Sequence, residues 1–183
     1  MRLTHLREQL SRYRTLDATE ARFVTRMTEL TGVASACARS HFVPGHFTAS
    51  AFVLSPDHRE LILIHHKKLG LWLQPGGHVD ETDADLESAA RREVAEEVGL
   101  GVLEPLMTCG ELFDVDIHAI PAHQREPAHE HFDVRFAFVA RTRDFQVSEE
   151  VAEVRWVALA EASAATSDRS VLRAVEKLRV VLT

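Results

Sequence analysis

Apolar residues recur at helical spacing from the start of the chain, with Leu3, Leu6 and Leu10 on one side of residues 2 to 14. A second helical stretch, 18 to 31, follows the capping residue Asp17 and stops at Gly32. Together they predict a helical extension over residues 1–40. From Phe47 to Leu54 and from Leu61 to His65 the pattern turns to apolar and β-compatible residues. The turn-prone SPDHRE separates these two runs, which predicts a hairpin. Pro75, Gly76 and Gly77 then interrupt regular structure ahead of a helix from about Asp85 to Val98, and Gly99 supplies its stop. Further strands are expected at about 102 to 117, 131 to 141 and 153 to 158. Ser167 to Leu182 closes the chain as a helix with Leu172, Val175 and Leu178 on one side.

Strands, a helix, more strands and a last helix make a mixed α/β (α+β) fold with a mixed sheet, not a regularly alternating parallel one. A doubly wound dinucleotide fold is disfavoured further by the lack of GxGxxG and of GxxxxGK[ST]. The 183 residues fit one domain, 1–183, with a core over 45–160 and closing helices over 160–183. A composition of 45% apolar and 27% charged residues is that of an ordinary globular chain. Its formal net charge of −7 makes long nucleic acid a poor partner. The basic opening MRLTHLREQLSRYR has no apolar core, and no run of about 18 apolar residues occurs, so a cytoplasmic protein with no membrane partner is expected. Cys37 and Cys109 are the only cysteines and form no CxxC pair, which disfavours a disulfide framework or a thiolate zinc site.

The chemistry concentrates in GGHVDETDADLESAARREVAEEVGL, residues 76 to 100. On a helix, Glu93, Glu96 and Glu97 project within an arc of about 100° and form one carboxylate patch. Such like charges destabilise a bare helix and call for a compensating cation. Magnesium, with manganese as a substitute, prefers oxygen ligands and keeps sites for phosphate oxygens and water. Taken alone, REVAEE reads better as a solvated helix face carrying a routine Arg92–Glu96 pair.

With the glycine turn included, the segment resembles the Nudix hydrolase signature G-x5-E-x7-R-E-U-x-E-E-x-G-U, where U is aliphatic. Gly77, Arg92, Glu93, Val94, Glu96, Glu97, Gly99 and Leu100 match it. The first acid is Asp83 instead of Glu, and eight residues, not seven, separate it from Arg92. The resemblance implies an α/β/α sandwich and a brace between Asp83 and Arg92, for which Asp85 could substitute. It implies Glu93 and Glu97 as metal ligands, Glu96 as a ligand or the group orienting the attacking water, and the carbonyl of Gly77 as a further ligand. An inserted residue after Arg92 would rotate the carboxylates by about 100°, so the extra position is expected in the loop before the helix. The likeness extends over about residues 45 to 160.

On the substrate side, His118, His123, His129 and His131 cluster in one segment near Glu130 and Asp133. His129 and His131 alternate on one strand face, where they could bind a metal or contact phosphate, or simply be exposed loop histidines. Lys67 or Lys68 follows a predicted strand, where it could meet a phosphate, although a solvated turn is the plainer reading. Trp72 and Phe113 could stack on a base or fill the core. The resemblance also implies a catalytic glutamate before the last sheet strand, for which Glu149 and Glu150 are the candidates.

The expected function is magnesium-dependent hydrolysis of a phosphoanhydride in a nucleoside diphosphate derivative: ADP-ribose, a nucleotide sugar, a nucleoside triphosphate or a dinucleoside polyphosphate. Two alternatives are a nucleotide-sensing module without catalysis and a prenyl-diphosphate isomerase of the same superfamily. Retention of all three helix carboxylates argues against the first. The second needs a protonating cysteine or acid in the pocket, and Cys109 fits no such pattern. The helical extension could serve a homodimer interface or cap the sheet.

Overall fold

The computed structural model describes residues 1–67, 70–108, 110–123, 126–149 and 151–183. Cys109 and Glu150, together with Lys68, fall outside the described residues. The chain forms mixed α/β structure in two compact units. One comprises Met1–Ser50, Gly77–Ala90 and Met107–Phe136, and the other Ala51–Gly76, Arg91–Leu106 and Ala137–Thr183. Among the described residues no helix is long and apolar enough to cross a membrane.

In the first unit, α1 (Arg2–Arg12) buries Leu6 and Leu10, and α2 (Ala18–Leu30) buries Met27 and Leu30. Asp17 caps α2 as its spacing predicts, its carboxylate accepting from the amides of Thr19 and Glu20 at 2.7 and 2.9 Å. Such a cap stabilises a helix by about 1 kcal/mol. β1 (Gly45–Leu54) begins here, and β4 (Gly76–His78) pairs with it. β6 (Asp114–Ile120) and β7 (His129–Ala140) form an antiparallel ladder in which Asp114 faces Arg135, Asp116 faces Asp133 and His118 faces His131. Side chains alternate across a strand, so these residues share one face, while Val115, Phe132 and Val134 occupy the other and are buried. Phe47 joins that apolar face with its ring centroid 6.0 Å from that of Phe132.

In the second unit, the end of β1 pairs with β2 (Glu60–His66) as the predicted hairpin, with Leu54 opposite Leu61. β2 pairs also with β3 (Leu71–Leu73) and with β8 (Val151–Ala158), the latter from Glu60 opposite Ala158 to His66 opposite Val151. The helix α3 (Leu86–Val98) contributes its C-terminal part, and β5 (Leu103–Pro105) pairs with the end of β7. Then come α4 (Ala162–Ala165) and α5 (Arg169–Val181), the latter capped by Asp168 and burying Val171, Ala174, Val175 and Leu178. Gly99 ends α3 at φ +71, and a Cβ there would lie 3.0 Å from that of Gln146.

The strand expected over residues 102 to 117 is two strands, β5 and β6. Between them Gly110 takes φ +81 and the Glu111 amide donates to the Thr108 carbonyl at 2.9 Å, so the chain turns where apolar residues alone suggested continuity.

Candidate functional site

The acidic patch sits on the second half of α3. Glu97 is 7% exposed, and one of its oxygens accepts the backbone N–H of Gly76 at 3.0 Å, so the glycine turn fixes a ligand-type carboxylate. Arg92 Nη1 reaches Glu93 at 2.9 Å and Glu96 at 2.8 Å, spanning two of the three acids. The Glu93 side chain is 13% exposed and that of Glu96 58%, giving a gradient from a buried to a solvated carboxylate within one helix turn. An all-oxygen donor set of this kind matches a hard divalent cation.

At the other end of the helix Asp85 accepts from the Ser88 amide at 2.8 Å and its hydroxyl at 2.6 Å, which is a helix-capping arrangement. Asp83 is buried in the loop and accepts the Asp80 amide at 2.8 Å. α3 is regular throughout, so the extra residue of the box lies ahead of Arg92 without disturbing the carboxylate spacing. Gly77 lies in the short strand β4, next to Gly76. Lys67 is exposed and its ammonium donates to the carbonyl of Glu149, which brings two of the substrate-side candidates together. Phe113 is buried, a core residue. Trp72 instead packs beside His65, ring centroids 5.2 Å apart and tilted, with the Arg155 guanidinium 4.7 Å from its ring centroid.

A second patch lies within the first unit, on the polar face of the β6–β7 ladder. His129 and His131 are joined there by His46 from β1, with ring centroids 5.1 Å (His46 to His129), 4.8 Å (His46 to His131) and 5.2 Å (His129 to His131) apart. His78 lies 5.2 Å from His46 and 5.3 Å from His131, and His118 lies 5.5 Å from His131. Gly45 makes this approach feasible, since a Cβ at that position would fall 1.8 Å from the carbonyl oxygen of Glu130. Burial, reinforced by the surrounding His118, His46, His78 and His129, pushes the His131 imidazole down to about 2. Burial, with Arg39 and His46 adding to it, brings His78 down to about 4. These rings are neutral at pH 7.

Further along the same face, Arg135 is 2% exposed and pairs with Asp133 at 2.7 Å, Asp114 at 3.1 Å and Asp116 at 3.5 Å. Thr48 and Ser50 of β1 donate hydroxyls to Asp133 at 3.1 and 2.8 Å. The three aspartates hold the guanidinium protonated against its burial.

A family model described as the NUDIX domain matches residues 44–175. The chain belongs to the Nudix family. No curated protein sequence matches it. Among solved structures, the NUDIX domain of Shewanella oneidensis NrtR complexed with ADP ribose is similar at 23% identity and TM-score 0.56, over 75% of this chain and 88% of that one. The E. coli dihydroneopterin triphosphate pyrophosphohydrolase aligns at 19% identity and TM-score 0.58, over 72% and 92% of the two chains. A C. elegans Ap4A hydrolase aligns at 19% and 0.53, over 75% and 98%. These likenesses establish the Nudix fold.

Within that fold, sequence reading missed His46, His78 and the grouping of Asp114, Asp116 and Arg135 with Asp133. The signal was present as alternation: HFTAS, DVDIH and HEHFDVR each put polar residues at every second position. A polar stripe on a strand reads by default as the solvated face, and here most of that face is buried, although His118 is exposed.

Proposed function

We propose that this Nudix protein is a magnesium-dependent pyrophosphohydrolase that cleaves a phosphoanhydride in a nucleoside diphosphate linked to another group. The observation that carries this reading is the carboxylate patch of α3, with Glu97 buried and anchored by the Gly76 amide. When bound, a divalent cation there withdraws charge from phosphorus and lowers the pKa of its water. Glu93 and Glu97 would hold it. Glu96, the most exposed acid, would complete the shell or orient the attacking water. Arg92 keeps Glu93 and Glu96 in register and offsets part of their mutual repulsion.

On the substrate side we assign Lys67 and Glu150. The Lys67 ammonium donates to the carbonyl of Glu149, the other glutamate ahead of the last sheet strand. The substrate class follows the molecules named for similar Nudix structures: ADP ribose, dihydroneopterin triphosphate and Ap4A. Each joins a diphosphate or longer phosphate chain to an organic group.

The test is a turnover screen of ADP-ribose, nucleotide sugars, nucleoside triphosphates and dinucleoside polyphosphates with and without magnesium, with products identified by mass. Magnesium-dependent release of two phosphorylated fragments, or of a monophosphate and pyrophosphate, is expected. Tight binding of a panel member without turnover would instead identify a nucleotide-binding module.

A further inference from the structure

We propose that His46, His129 and His131 form a binding site for a divalent transition-metal ion of zinc-like chemistry, held by three imidazoles with a fourth position open. One nitrogen from each ring lies within 4.8 Å of the others. Three nitrogens bound at about 2.0–2.1 Å in tetrahedral geometry stand about 3.4 Å apart, so modest side-chain rotations close the site. Imidazole donors suit zinc, whereas magnesium takes hard oxygen ligands, which sets this site apart chemically from the carboxylates of α3.

The second observation is how the rings are oriented. A carbonyl only accepts, so the contacts of His46 Nδ1 with His41 O at 3.3 Å and of His129 Nδ1 with Pro127 O at 2.8 Å place the proton on Nδ1 in both rings. Each ring therefore presents the lone pair of Nε2, as metal-bound histidines do when their other nitrogen is held by a backbone carbonyl. His46 is 0% exposed, and its Nε2 is buried with no hydrogen-bond partner among the described residues. A buried acceptor without a partner destabilises the fold, and a metal ion relieves that cost.

The charge of the surrounding face points the same way. Asp114, Asp116 and Asp133 are buried carboxylates beside Arg135 on the strand face that carries the three imidazoles, a setting that favours a cation. Phe42, whose ring meets that of His129 at 5.1 Å, lines a cavity of about 860 Å³ together with Arg39 and Glu126.

The test measures metal binding directly and stands apart from the hydrolase reading. The full chain, stripped with a chelator and returned to saturating magnesium, is titrated with zinc in competition with a chromophoric chelator. One zinc per chain is expected, weakened at least about 100-fold by His46→Gln and by His131→Gln but unchanged by Glu97→Gln. Should the histidine variants fail to fold, cobalt added to the unaltered chain decides the matter by its visible spectrum. Intense tetrahedral bands support the imidazole site. Weak octahedral bands, zinc affinity indifferent to both histidine substitutions, or zinc lost on Glu97→Gln would each overturn it.

Discussion

The two polar patches are built in opposite ways. Glu93, Glu96 and Glu97 share about one turn of one helix, take their geometry from helical spacing, and grade from buried to exposed. The histidine and aspartate face draws on β1, β6 and β7, takes its geometry from strand pairing, and buries nearly every member. A patch on one helix can lose a member without disturbing the rest, because the backbone ladder of the helix does not depend on it. A patch spread over three buried strands is coupled, since each charge there is satisfied by a group from another segment.

The sharpest break between them concerns arginine. Arg135→Met should destabilise the protein by about 3–5 kcal/mol, because it leaves Asp114, Asp116 and Asp133 buried without their cation. Arg92→Met removes a guanidinium that is 22% exposed, and should cost no more than about 1 kcal/mol. Urea unfolding of both variants measures the contrast, and equal midpoints would show that the strand face is as well solvated as the helix.

Function reverses the ranking. Glu97→Gln should leave the unfolding midpoint nearly unchanged and lower magnesium-dependent kcat at least about 100-fold, equivalent to about 2.7 kcal/mol of transition-state stabilisation. Turnover equal to the parent at saturating magnesium, in a folded variant, would remove Glu97 from the site.

The same contrast explains what could be read from the chain. The helix patch was legible because spacing alone determines which residues of a helix meet: Asp17, Gly99 and the Arg92–Glu96 pair all fell where local rules put them. The β1–β2 hairpin was legible through its turn. The histidine face was only half legible. HEH announced that His129 and His131 share a side, but that His46 lies against them depends on the pairing of β1 with β7 and on the missing Cβ of Gly45. Nor could spacing reveal that the polar side of these strands is buried. The break at Gly110 was hidden because the apolar residues around it continue the strand pattern.

Acidity should sharpen the difference between the patches in the metal-free protein. His131 faces His46, His78, His118 and His129, and His78 faces Arg39, Glu126, His46 and His129. Both rings have folded values, about 2 and about 4, below the ordinary 6.5. Below pH 6.5 the unfolded chain therefore takes up protons that the folded chain refuses, and stability falls with pH. From about pH 6.5 to about pH 5 the loss should be about 1–3 kcal/mol, and His131→Gln should flatten it. A pH-independent midpoint across this window would mean that the rings are open to solvent.

The smallest effect is expected at Glu96. Its side chain is 58% exposed and paired with Arg92 at i, i+4, an interaction worth about 0.3–0.5 kcal/mol between solvated groups. Removing its charge also relieves repulsion from Glu93 and Glu97, so the two terms oppose each other and Glu96→Gln should shift stability by less than about 0.5 kcal/mol. In contrast, the equally isosteric Asp133→Asn removes a charge that Arg135, Thr48 and Ser50 all address inside the protein. It should therefore cost several times more. Paired urea titrations of the two variants compare a carboxylate placed by helix spacing with one placed by strand pairing. A Glu96→Gln loss matching that of Asp133→Asn would show that the helix patch is coupled in the same way as the strand face.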